Sequence, residues 1–313
     1  MTNIPGTDLD VYPLNLGTNI FGYTADKSAS FEIMDRYAEA GGNFLDTADS
    51  YSAWAPGNVG GESETIIGQW LTERGNRDDI VVATKVGAHP EFRSLAGRTI
   101  KAAAEESLKR LRTDHIDLYW AHFDHEPAVP VEETLGAFTD LVEQGKVRYI
   151  GASNLTAERI TQSLAAADRD GLARYVALQP HYNLMERQGY ESTYAPIAAK
   201  ENLAVFPYYG LAKGFLTGKY RGREGDGGGS VRTKGASVYY DERGKRVLAV
   251  LDEIAATHNV PVGSVALAWL RYQPNIVAPI ASARTPEQVP TLIQSVTLEL
   301  GPDELAKLDE ASS

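Results

Sequence analysis

The 313-residue chain contains no cysteine. That absence removes disulfides, thiolate nucleophiles and cysteine-based zinc sites together, and leaves the redox compartment open. Long apolar runs are missing too: nothing approaches the roughly 18 residues of a membrane-spanning helix. The start, MTNIPGTDLD, lacks the basic and apolar regions of a secretory signal, so a cytoplasmic protein is expected. Basic residues are outnumbered, 30 Lys and Arg against 42 Asp and Glu, for a net charge of −12. Neither a nucleic acid nor an anionic membrane suits such a field as partner. An anionic small molecule would need local cations to override it. What is present in quantity is apolar side chain, 43% of the chain, enough for a large core and too much for disorder.

Short β-rich runs alternate with amphipathic helical patterns from end to end, the arrangement of parallel βαβ units. Strands are expected at 16–22, 43–47, 80–85, 116–122, 147–153, 176–180, 203–208 and 276–282. Between them SFEIMDRYAEAG and VEETLGAFTDLVEQGK read as helices ending at glycine, and Thr156 reads as the N-cap of another. Eight strands with intervening helices predict a single-domain (β/α)₈ TIM barrel over residues 1–313. The competing doubly wound sheet lacks its G-x-G-x-x-G turn after the first strand. VYPLNLGT is expected to form a short hairpin closing the barrel floor. After the seventh strand, 213–243 reads as one long loop holding REGDGGGS, a flexible tract without the G-K-[ST] of a phosphate-binding loop. Arg221, Arg223, Arg232 and Lys234 make it a basic patch on an acidic chain, consistent with a lid over an anion. Oligomeric state leaves no signature.

A barrel gathers its reactive groups at the C-terminal ends of the strands. Here those ends carry Asp46, with Asp49 and Tyr51 just beyond it, then Lys85, His122, the pair Ser153 and Asn154, and Gln179. Each has an ordinary explanation alone: a helix cap, a rim charge, a core histidine. Together an acid, a phenol, an ammonium and an imidazole describe acid catalysis on a carbonyl. A free phenol titrates near ~10 and is a reluctant donor at neutral pH. An adjacent ammonium is expected to lower that value, and the ammonium itself needs a counter-charge. On this reading Asp46 poises Lys85, and Lys85 poises Tyr51.

The residues that carry this reading also resemble the aldo-keto reductase family over nearly the whole chain. LDTADSY, ATK and LYWAH match its Asp–Tyr–Lys–His tetrad at Asp46, Tyr51, Lys85 and His122. The resemblance implies a catalytic role for all four, with Tyr51 as general acid and base. It implies that Ser153 and Asn154 of GASN hold a nicotinamide carboxamide with Gln179, and that Tyr208 stacks on the nicotinamide ring. Gly210, Leu211 and Lys213 of GLAKG match the pyrophosphate turn. Ser282 and Arg284 match residues that grip an adenosine 2′-phosphate, so NADPH/NADP+ is the implied cofactor, with NADH less favoured and no metal. Gln288 is placed to reach the adenine, whereas Leu292 stands where the family has asparagine. Walls for a small-molecule carbonyl substrate are expected from Tyr23, Trp54 and Phe123, which suit an apolar or cyclic compound.

Three rivals remain at the level of sequence. HFDH with Asp46 offers material for a metal-dependent hydrolase, although His122 and His125 are three apart across a strand end, where successive side chains alternate faces, and no H-x-H or H-E-x-x-H accompanies them. Lys85 alone would suit a Schiff-base aldolase, but leaves the Ser–Asn, Gln179 and Arg284 set without a purpose. The third is an NADP(H)-binding regulatory protein with little turnover.

Overall fold

The computed structural model describes residues 1–221 and 235–313. In chain order its strands are β1 (Thr2–Asn3), β2 (Asp10–Val11), β3 (Asn15–Gly17), β4 (Phe44–Asp46), β5 (Val81–Val86), β6 (Ile116–Ala121), β7 (Val147–Ser153), β8 (Tyr175–Gln179), β9 (Ala204–Val205) and β10 (Ile280–Ala281). The helices are α1 (Lys27–Glu39), α2 (Glu62–Arg74), α3 (Gly97–Leu111), α4 (Val131–Glu143), α5 (Ala157–Asp170), α6 (Ala195–Glu201), α7 (Glu242–His258), α8 (Val262–Arg271), α9 (Val289–Thr297) and α10 (Pro302–Ser312).

Strands β3 to β10 form one parallel sheet in the order β10-β3-β4-β5-β6-β7-β8-β9. The ring closes where Val277 N donates to Val205 O (3.0 Å) and Ile280 N to Pro207 O (2.8 Å). This is the (β/α)₈ barrel expected from the alternating pattern. Two of its strands are shorter than expected. Of 16–22 only Leu16 and Gly17 belong to the strand, which starts at Asn15, because Phe21 N folds back to Thr18 O (3.0 Å) and Gly22 takes φ +76°. Of 276–282 only Ile280–Ala281 makes a regular ladder, since Pro279 has no N–H to give.

The hairpin is also displaced from its expected place. It joins β1 to β2, and the NLG of VYPLNLGT is itself the first barrel strand. The floor is closed as anticipated, but by Ile4, Leu9 and Val11, which pack under Phe44, Leu118 and Phe206. Asp8 anchors the hairpin by accepting from Arg148 Nη2 (2.7 Å) and Tyr149 Oη (2.9 Å).

Thr156 caps α5 as read from sequence, accepting from Arg159 N at 3.1 Å. Gly41 and Gly145 take left-handed φ just past α1 and α4. In the stretch 213–243, tight turns over Ala212–Thr217 break at Lys213 and Gly214, both at positive φ, and α7 begins at Glu242 behind its Asp241 cap. Arg221 is committed to Asp252 on α7 at 2.8 Å, so it offers no free cation. Arg223, Arg232, Lys234 and the glycine tract, on which the lid expectation rests, lie outside the described residues.

Strand alternation divides the core in two. Leu45, Val82, Val86, Tyr119 and Ala121 face outward into the layer shared with the helices. Phe44, Val81, Ala83, Leu118, Trp120, Ala177 and Phe206 face inward and fill the barrel. Trp120 is wholly buried, and a Cβ built on Gly151 of the next strand would lie 2.3 Å from its ring. Only glycine leaves room there. The same inward parity carries Asp46, Lys85 and His122 to the top of the plug.

Candidate active site

Lys85 lies at the centre of the mouth and is fully buried. Its Nζ donates to Asp46 Oδ2 at 2.5 Å, to the Thr47 carbonyl at 2.6 Å and to the Tyr51 oxygen at 2.9 Å. All three donor positions of the ammonium are therefore used. Asp46 is buried as well, and its second oxygen accepts from Gln179 Nε2 at 2.9 Å. The Tyr51 hydroxyl is 3.4 Å from Asp46 Oδ2, and its ring centroid is 6.2 Å from that of His122. Three separate strand ends and one loop thus bring the four expected groups together.

The electrostatics differ from the sequence expectation in one respect. Burial first, and the Asp46 carboxylate second, push the Tyr51 phenol well above its ordinary range. The lowering expected from Lys85 is outweighed, because the carboxylate that neutralises the ammonium also faces the phenol. Tyr51 therefore keeps its proton across neutral pH. Burial pulls Lys85 below its usual value, opposed chiefly by Asp46. His122 is driven well below the imidazole range by burial, then by Lys85 and His125, and is neutral. Its Nδ1 is buried and has no partner among the described residues.

Beside this cluster the ends of β7, β8 and β9 form a second one. Asn154, at φ +51°, donates to the His122 carbonyl (3.0 Å) and to Ser153 Oγ (2.9 Å). Ser153 Oγ donates to the Gln179 carbonyl at 2.9 Å. Tyr208 Oη donates to Asn154 Oδ1 at 2.8 Å. Gly210 is buried against Leu267 and Leu270, and Leu211 leads into the left-handed turn that carries Lys213. Lys213 Nζ lies 5.7 Å from the Tyr209 ring centroid and, like Arg284, has no ion pair among the described residues. Ser282 Oγ donates to Asn19 Oδ1 (3.0 Å), and Arg284 N to Gln288 Oε1 (2.8 Å), so Gln288 holds its own turn. Leu292 is buried in the outer apolar layer and presents nothing to a ligand. Pro290 sits in the first turn of α9, where a missing N–H is harmless.

Trp54 stands beside Tyr51, ring centroids 6.2 Å apart, and Phe123 beside His122 at 4.7 Å. Both are exposed, as is Tyr23, although no ring contact joins Tyr23 to this group. Among the described residues no cluster of three or more His, Asp or Glu is placed to hold a metal ion, and no helix is long and apolar enough to cross a membrane.

The match to known proteins follows this geometry. The model of the Aldo/keto reductase family matches residues 13–313. The chain belongs to the aldo/keto reductase family. It is 32% identical to Protein tas of Escherichia coli, over 98% of this chain and 95% of that protein. It is 34% identical to the uncharacterized oxidoreductase YrpG of Bacillus subtilis, over 99% and 94%. It is also 32% identical to norsolorinic acid reductase stcV of Emericella nidulans, over 98% and 79%. The chain is an oxidoreductase of this family.

Several residues around the site escaped the sequence reading. Behind Lys85 a buried Glu64 accepts from Thr84 Oγ1 (2.5 Å) and from Arg110 Nε (2.6 Å). Asp49, which the sequence did place at the strand end, is wholly buried beside them, with both oxygens unpartnered among the described residues. Burial first, then Glu64, pushes its carboxyl well above the usual range. Glu64 was signalled: it occupies the stripe continued by Ile67, Gly68 and Leu71, where an acid must be paired. His181 and Tyr209 carried no such signal.

Proposed function

We propose that this protein reduces an aldehyde or ketone to the alcohol with NADPH, and runs the reverse oxidation, with Tyr51 as the general acid and base. The observation that supports this best is the convergence on Lys85: one buried ammonium shared by a carboxylate, a backbone carbonyl and a phenol.

The residues fit a phosphate-bearing dinucleotide. Among the described residues Lys213 and Arg284 have no ion pair, on a strongly acidic chain, and a guanidinium suits a 2′-phosphate dianion. Ser153, Asn154 and Gln179 offer amide and hydroxyl groups for a carboxamide, and Tyr208 a ring for the nicotinamide. Ser282 and the turn at Gly210 and Leu211 complete the set, and the Gln288 side-chain NH₂, without a partner among the described residues, is left for the adenine. When bound, the cofactor supplies the hydride.

The chain's own part is the proton. Tyr51, held protonated, delivers it to the carbonyl oxygen, and Lys85 stabilises the phenolate left behind. Asp46, fixed by Gln179, keeps Lys85 in place. His122 is neutral and holds the substrate oxygen through a hydrogen bond rather than a charge. Trp54 and Phe123 flank the mouth, and with the exposed Tyr23 they favour an apolar or cyclic carbonyl compound.

The test is NADPH consumption, followed by its near-ultraviolet absorbance, with an activated aromatic aldehyde and NADH in parallel. Wild type should turn over with NADPH preferred, and Tyr51→Phe should lose about 10²–10⁴-fold in kcat while still binding NADPH. Equal turnover by the two proteins would refute the assignment. Tight binding without wild-type turnover would favour a cofactor-binding regulatory role.

A further inference from the structure

Tyr208 is partly buried and packs against the apolar plug of the barrel. Its backbone N donates to the Pro180 carbonyl (3.0 Å), and its hydroxyl donates to Asn154 Oδ1 (2.8 Å). The ring itself lies almost parallel to the imidazole of His181, planes 10° apart and centroids 5.3 Å apart, the geometry of an offset stack. Tyr209 meets both rings edge-on, at 5.2 Å and 5.4 Å. On the side of His181 the packing is open: Tyr208 and His181 both border a cavity of about 210 Å³, shared with Glu186, Tyr190 and Tyr194. No close-packed wall on that side would replace the imidazole if it were lost.

We propose that His181 is a positioning residue, its imidazole backing the Tyr208 ring so that the ring's other face is presented to the nicotinamide. This rests on the reading of Tyr208 as the nicotinamide platform. The orientation of His181 is itself fixed. Asn183 Oδ1 accepts from Met185 N (2.8 Å) and Glu186 N (3.1 Å), which leaves its Nδ2 directed to the Tyr209 carbonyl (3.0 Å) and toward His181 Nε2 (3.4 Å). An N–H aimed at Nε2 fits a neutral ring.

The charge of that ring matters because the nicotinamide is cationic when oxidised and neutral when reduced. An imidazolium one ring away weakens binding of the oxidised form more than of the reduced form. The groups facing His181 are Glu186 from its own loop, Lys213 from the turn after β9, and the phenols of Tyr208 and Tyr209. Burial first, with Lys213, holds the imidazole below its ordinary range, and Glu186 opposes them. It is therefore neutral at physiological pH and takes a proton only in acid.

The experiment is titration calorimetry of NADPH and NADP+ between about pH 5 and pH 8, with wild type, His181→Leu, His181→Phe and Tyr208→Ala. His181→Leu should lose roughly three- to tenfold in NADPH affinity, the worth of one aromatic pair. His181→Phe, which keeps a flat ring, should restore most of it. In wild type the ratio of NADP+ to NADPH dissociation constants should rise toward acid pH, and both His181 variants should flatten that rise. Wild-type affinity in His181→Leu, or an equal loss in His181→Phe, would overturn the proposal, as would an acid rise that survives in both. If Tyr208→Ala binds NADPH as wild type does, the platform reading has failed, and the proposal with it.

Discussion

Replacing Lys85 with methionine keeps the length of the side chain and removes its charge. The wild-type ammonium is 0% exposed and its partner Asp46 1%, so solvent cannot take over the lost contacts. Asp46 would keep Gln179 Nε2 at 2.9 Å and the distant Tyr51 hydroxyl at 3.4 Å, while the Thr47 carbonyl would lose its donor at 2.6 Å. Breaking a buried ion pair from one side costs about 3–5 kcal/mol. The surviving Gln179 bond satisfies one carboxylate oxygen, which places Lys85→Met near the lower end, about 3–4 kcal/mol.

Urea unfolding decides the matter better than turnover, since activity is lost for chemical reasons in any case. The single variants, the Lys85→Met/Asp46→Asn double variant and wild type are compared at neutral pH and again at about pH 5. Neutralising the orphaned carboxylate should return about 1–2 kcal/mol in the double variant. Acid should do the same in Lys85→Met alone. Its folded state would hold a proton on Asp46 that its unfolded state releases, so its deficit grows as pH rises out of the carboxylate range. A Lys85→Met protein within about 1 kcal/mol of wild type, or a double variant no better than the single, would refute the reasoning.

Gly151→Ala forces a methyl group into the Trp120 ring at 2.3 Å. Overpacking of this kind costs about 1–3 kcal/mol, so its urea midpoint should drop, and an unchanged midpoint would mean that β7 yields freely. Arg284→Ala should weaken NADPH binding by about tenfold or more through the lost charged hydrogen bonds and leave NADH nearly unaffected; calorimetry with both cofactors tests this, and a parallel loss would deny Arg284 the 2′-phosphate. Asp49, its carboxyl pushed up by burial, keeps its proton in the folded chain and releases it on unfolding above about pH 4, so its own contribution to stability falls as pH rises from there. Asp49→Asn removes that slope and should gain on wild type toward neutral pH; equal slopes would show Asp49 to be charged in the fold.

What the sequence reveals and what it hides have physical reasons. Strand alternation is a local property, so the inward placement of Asp46, Lys85 and His122 is readable from LDT, ATK and WAH without any knowledge of their partners. The direction in which Tyr51 is shifted is not local. It depends on whether burial and Asp46 outweigh Lys85, and the sequence names the charges without their depth. Glu64 and Arg110, 46 residues apart, become a pair only when α2 and α3 pack. Gly68 permits this, because a Cβ there would lie 2.2 Å from the Arg110 carbonyl. His181 is invisible for a similar reason: its meaning is the ring of Tyr208, brought alongside when two neighbouring strands align.

The GASN motif shows how closely the core and the candidate site are joined. Ser153 and Asn154 face the mouth, yet Gly151, two residues earlier on the same inward parity, serves the apolar plug by making room for Trp120. Trp120 in turn packs edge-on against Phe206, 5.9 Å away, and Phe206 against Phe44 at 5.3 Å. Two residues above each of these stand His122, Tyr208 and Asp46. The apolar layer therefore sets the relative heights of the strands that carry the polar one. A change in the plug moves the groups above it, so Gly151→Ala should disturb the site as well as the stability of the barrel.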